Sequence, residues 1–165
     1  MLQLLHLLKR VEGRKKLQKL VHILQERGVP FPERFEYSYY GMYSAQLRSE
    51  VERLESEKLV NESPCSAGTN LSYSLEATDD IGKLLKEIGQ EQEPAWAATA
   101  RLLNGLSAQE LEGISTILFL KECGLSGDEL KNRLLVLKPH LEPIYAKCEK
   151  EASKLPDYRQ ADVAV

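Results

Sequence analysis

Apolar positions along the chain keep helical spacing over most of its length and give way to two-residue alternation in two short stretches. Leu2, Leu4, Leu5, Leu7 and Leu8 occupy so much of one helical circumference that this first helix must be largely covered. Gly13 separates it from a second helix, residues 14 to 27. There Leu17, Leu20, Val21 and Leu24 recur at i, i+3, i+4 and i+7, with Arg14, Lys15 and Lys19 toward the other side, and Gly28 and Pro30 stop it. Phe35 to Tyr40 begins in alternation and is rich in aromatics, which predicts a strand ended by Gly41. Alternation sends Phe35, Tyr37 and Tyr39 to one side and leaves Glu36, Ser38 and Tyr40 on the other, so Tyr40 is the exposed candidate.

Ser44 is an N-cap for a third helix that aligns Leu47, Val51, Leu54 and, less regularly, Leu59. LVNES and LSYSL then read as two short strands joined by PCSAGTN, whose Pro64, Gly68 and Asn70 are turn formers. Leu71, Tyr73 and Leu75 form the covered face and Ser72 and Ser74 the wet one. Helix, helix, strand, helix and hairpin is the order of a winged helix-turn-helix unit.

The remainder predicts helices. Thr78 caps one bearing Ile81, Leu84, Leu85 and Ile88, ended by Gly89. Pro94 opens one with Trp96, Ala100 and Leu103, stopped at Asn104 and Gly105. Capping boxes at Ser107 to Glu110 and Ser126 to Glu129 start two more, closed by Gly124 and Pro139, and Pro143 begins the last, with Ile144, Tyr145, Cys148 and Ala152 inward. The fold class expected is mainly α with a small β-hairpin: a winged-helix-like module at residues 1 to 91, a C-terminal helical region at 92 to 156 that shares its core or packs on it, and a flexible tail at 157 to 165.

Length and composition place the 165 residues among soluble globular chains with one core or two small ones. No apolar run is long enough to cross a bilayer, and MLQLLHLLKR carries its positive charges after its apolar run, unlike a signal peptide. Cys65, Cys123 and Cys148, odd in number and widely spaced, fit reduced thiols in the cytoplasm, with neither a disulfide framework nor a zinc site. The formal charge of -3 is unevenly spread: residues 1 to 34 carry +5, residues 35 to 91 carry -6, and residues 92 to 165 carry -2. The net charge argues against bulk attraction to nucleic acid and leaves a local basic patch open.

The strings GRKKLQKLVHILQERG (13 to 28) and FEYSYYGMYSAQLRSEVERLESEKLV (35 to 60) resemble the YwgA-like proteins and, more distantly, the Panacea domain of antitoxins related to SocA. The shared pattern is a K-L-Q-K-L helix, an aromatic strand ending in Tyr39-Tyr40-Gly41, then Tyr43-Ser44 and an amphipathic helix. Met42 stands where the family more often carries Pro. What the Panacea resemblance implies is an antitoxin-like or regulatory protein that acts by contact without chemistry.

The residues themselves offer two contact surfaces. Arg14, Lys15, Lys16 and Lys19, with Lys9 and Arg10 upstream, could neutralise phosphates together, or simply form a solvated helix face. A DNA-reading helix at residues 45 to 59 would set Arg48, Arg53 and Lys58 against Glu50, Glu52, Glu55 and Glu57; only Arg48 is well placed for a base edge, and the tip from Ser66 to Asn70 lacks a basic clamp. The aromatic group from Phe35 to Tyr43 is core or contact surface, with Tyr40 and Tyr43 the partner-binding candidates. No phosphate loop, zinc-protease motif or nucleophile elbow is present, and no cofactor or metal is expected. Arg133 and His140 match only the loose spacing of the HEPN ribonucleases. The charge split favours a protein partner, DNA is the alternative through Arg14, Lys15, Lys16, Lys19 and Arg48, and a homodimer is open; no membrane partner is expected.

Overall fold

The structure is a computed structural model and describes residues 1–67 and 70–159, leaving aside the side chains of residues 65–67 and 70–72. Its elements are α1 (Leu2–Leu8), β1 (Arg10–Val11), α2 (Arg14–Glu26), β2 (Glu36–Ser38), β3 (Gly41–Tyr43), α3 (Ala45–Ser56), β4 (Val60–Ala67), β5 (Asn70–Ala77), α4 (Asp79–Glu87), α5 (Ala97–Asn104), α6 (Ala108–Glu122) and α7 (Gly127–Leu137). A 3-10 turn, Pro139–Ile144, leads into α8 (Tyr145–Lys154). The described chain is mainly helical with a small antiparallel sheet.

Several local signals act as the sequence implies. The Ser44 hydroxyl accepts the Leu47 amide at 3.2 Å to start α3. Ser107 and Glu110 close a full capping box at α6. Ser126 and Thr78 sit at N-cap positions but make no side-chain cap bond; the Thr78 hydroxyl instead donates to the carbonyls of Lys58 and Leu59.

The strands differ from expectation. Gly41 does not end a strand but begins β3, which pairs back on β2 with Glu36 opposite Tyr43 and Tyr37 opposite Met42. The turn residues Tyr39 and Tyr40 both keep negative φ, so Gly41 at φ 80° takes the left-handed step that a tight hairpin needs. The second hairpin runs through Pro64 and Cys65, with β4 and β5 in register from Val60 opposite Ala77 to Ala67 opposite Asn70. Pro64 is tolerated because β4 is the edge of the sheet β1-β5-β4. Its faces are also reversed in part: Tyr73 is exposed and Ser74 buried beside the buried Leu75.

One continuous cluster of buried side chains draws on both the first ninety residues and the later helices. α2 and α6 lie at its centre, packed on each other, with α7 and α8 against α6 and α1 against α4 and α5. α2 is not amphipathic in the sense its pattern suggested. Gln18, Lys19 and His22 on its polar side are buried, with β3 and α6 packed on the helix, and Lys16 is buried where it meets Asn104 of α5. α6 brings Gly113 so close to Cys148 of α8 that an added Cβ would lie 2.6 Å from its sulfur. Leu155 and Pro156 offer carbonyls to the Arg27 guanidinium, and the Tyr158 amide donates to the Arg27 carbonyl at 2.6 Å. Among the described residues no helix is long and apolar enough to cross a membrane.

Candidate functional site

The two stretches singled out in sequence, the lysine-rich start of α2 and the aromatic hairpin β2–β3, meet around one cleft of about 770 Å³. Leu17, Leu47 and Val51 line it with buried apolar side chains, and Tyr37, Tyr40 and Tyr43 contribute aromatic rings. Arg14, Lys15, Lys19 and Arg48 reach it from α2 and α3. Glu112 of α6 and Lys138, Pro139 and His140 after α7 complete the lining.

A polar lattice fixes these parts. The Gln18 side chain donates to the Ser44 carbonyl and accepts the Ser44 amide, both at 2.8 Å, which ties the start of α3 to α2. The Lys19 ammonium donates to the Tyr40 carbonyl at 2.9 Å and to the Met42 carbonyl at 2.5 Å. Lys138, close beside Lys19, reaches the Tyr39 carbonyl at 3.3 Å. Two ammonium groups thus hold the hairpin turn from beneath by its backbone. Burial lowers the Lys19 pKa to about 8, and the neighbouring charges of Lys138 and Lys15 add to the fall while Glu112 opposes it. The Glu112 carboxylate is penalised by burial, yet hydrogen bonds from Lys138 at 2.8 Å and His140 at 3.1 Å prevail and hold it below the ordinary range.

The turn itself projects outward. Tyr39 is 91% exposed and Tyr40 61%, their rings edge to face at 5.2 Å, while the Lys15 ammonium sits 4.9 Å from the Tyr40 ring centre. Tyr40 is exposed as alternation suggested, and Tyr39 departs from it by being more so, because the turn, not the strand, sets its direction. Tyr37 stacks on Phe119 at 4.9 Å, and Tyr43 is half-buried.

The basic cluster is divided. Lys16 does not reach the cleft: it is buried and donates to the Asn104 carbonyl at 2.6 Å. Arg14 faces the cleft but is enclosed by Glu62 at 2.8 Å and Glu52 and Glu55 at 3.3 Å. Arg48 pairs with Glu52 at 3.5 Å and remains well exposed. Arg53 is held between Glu50 and Glu57, whose hydrogen bonds raise its pKa further. The expected charge separation is therefore partly met inside the fold. Arg14 of the positive segment neutralises the acids of the negative one, and Arg10 pairs with Glu76. The tip at Gly68 and Thr69 lies outside the described residues.

Glu112, Lys138 and the paired His140 are site residues that sequence reasoning did not assemble, since ninety and more residues separate them from Lys19. His140 bonds Glu112 in the structure, and the Arg133 spacing that suggested a ribonuclease gains no support from it. Cys123 and Cys148 are free thiols, and among the described residues no cluster could hold a metal ion.

No family model matches the chain, and no solved structure matches it. Over 126 residues, 76% of this chain and 74% of the relative, it is 29% identical to "Uncharacterized protein YwgA" of Bacillus subtilis (strain 168). That likeness extends well beyond residues 13 to 60 and supports a YwgA-like family for this chain.

Proposed function

We propose that the protein is a non-enzymatic regulatory or antitoxin-like binder of another protein, working in the cytoplasm through a winged-helix-like module with the β2–β3 hairpin as its contact point. The observation that carries this reading is the pair Tyr39 and Tyr40, exposed side by side on a turn whose carbonyls are held by Lys19 and Lys138. Tyrosines presented on a pre-organised loop give large contact area at small entropic cost. The β4–β5 hairpin that follows α3, joined by β1 from before α2 in the order β1-β5-β4, supports the winged-helix reading. The antitoxin-like role rests on the more distant Panacea resemblance of residues 13 to 60.

A second reading, DNA binding, is favoured only by Lys15 and the exposed Arg48 on the cleft rim. Most of the other cations on this face are already opposed by glutamates or spent on carbonyls, so few phosphates could be neutralised.

A photo-crosslinking residue placed at Tyr40, and in a control at the exposed Ile88 of α4, tests both readings in cells. The expected result is one discrete nuclease-resistant protein adduct at position 40 and none at position 88. No adduct at position 40, equal adducts at both, a second copy of this chain, or an adduct removed by nuclease would overturn the proposal. The last of these would favour DNA.

A further inference from the structure

The cleft beneath the hairpin has a chemistry that the exposed tyrosines do not use. We infer that it is a binding site for a small organic anion with a flat, apolar body, such as an aromatic carboxylate, sulfonate or phosphate. The inference stands whether or not a protein partner docks on Tyr39 and Tyr40.

Its size, about 770 Å³, falls in the range of sites that enclose small ligands. Leu17, Leu47 and Val51 supply an apolar floor, and the rings of Tyr37, Tyr40 and Tyr43 can lie against a flat group. Among the side chains that line it, cations outnumber acids. Arg14, Lys15, Lys19, Arg48 and Lys138 face a single acid, Glu112, already committed to Lys138 and His140. Arg14 and Arg48 have acidic partners of their own. Lys15 and Lys19 form no ion pair among the described residues; one lies over the Tyr40 ring and the other donates to carbonyls. They stand four residues apart on α2, with Lys138 near Lys19, so like charges crowd one wall. An anion placed among them would relieve that repulsion in a partly desolvated setting, where charge pairs count for more than in water. A neutral molecule of the same shape would gain only the apolar contacts.

The probes are 8-anilinonaphthalene-1-sulfonate and its uncharged counterpart N-phenyl-1-naphthylamine, titrated into the full chain by fluorescence. The expected result is saturable one-to-one binding of the sulfonate, about tenfold tighter than the neutral amine and weakening as salt rises. Lys15→Glu, at an exposed residue without an ion pair among the described residues, should lower sulfonate affinity by about tenfold and leave the neutral probe unchanged. Lys86→Glu on α4 should alter neither, and cooperative melting of all three proteins excludes binding to loosened cores. Equal affinity for the two probes, no saturable binding of either, or the same response to both substitutions would overturn the inference.

Discussion

His22 shows how far a single polar residue can be drawn into this core. It is 1% exposed, its Nδ1 lies 2.9 Å from the Ser115 hydroxyl, and Phe35 meets the ring edge to face at 5.2 Å. Burial, aided by the charge of Lys19, lowers its pKa from 6.5 to about 3. The unfolded chain therefore binds a proton between those values that the folded chain refuses. Stability is full above the unfolded pKa and is lost as pH falls toward the folded one. By about pH 4.5 the loss from this residue alone should reach about 3 kcal/mol. Urea denaturation of wild type and His22→Gln at pH 7 and at about pH 4.5 checks this. The variant should show a smaller pH dependence by that amount, and identical pH dependence would remove His22 from the explanation. Sequence alone shows an isolated histidine on a helix; the covering by Phe35 and α6 is what makes it acid-sensitive.

At the scale of elements, the β2–β3 hairpin is too short to be stable alone and depends on what grips it. Lys19 supplies two hydrogen bonds to its carbonyls, and Lys138 a third. Lys19→Met removes two of the three, so local opening of the hairpin should become easier by about 1.4 kcal/mol. Amide exchange should report this as roughly tenfold faster exchange from β2 and β3 with α6 unchanged. Equal protection in both proteins would mean that side-chain packing, chiefly Tyr37 on Phe119, holds the hairpin instead. Helices were legible from sequence wherever a cap and an apolar stripe coincide, as at Ser44 and Ser107. Strands were less so. Pro64 reads as a turn unless it is known that β4 lies at a sheet edge, and Gly41 reads as a stop unless its pairing across the turn is seen.

Over the whole molecule, α2 is buried from one side by elements of the first ninety residues and from the other by α6. Residues 1–91 expressed alone would lose the cover that α6 and α5 give to α2. That fragment should show no cooperative melting transition in calorimetry; a cooperative transition near that of the full chain would establish it as an independent domain. The cleft was half legible. Lys15, Lys19, Tyr40 and Tyr43 were singled out from their sequence neighbourhood, whereas Glu112, Lys138 and His140 join them only through the packing of α6 and the turn after α7. The lysines looked like a solvated face because no local pattern reveals that an ammonium is committed to a carbonyl 21 residues away. The most direct measurement is calorimetric titration of the protein captured by crosslinking at position 40 against wild type and the Tyr39→Ser, Tyr40→Ser double variant. Loss of two exposed aromatic anchors should weaken binding by about a hundredfold or more with the melting temperature unchanged, whereas undiminished affinity would contradict the assignment of the hairpin as the contact point.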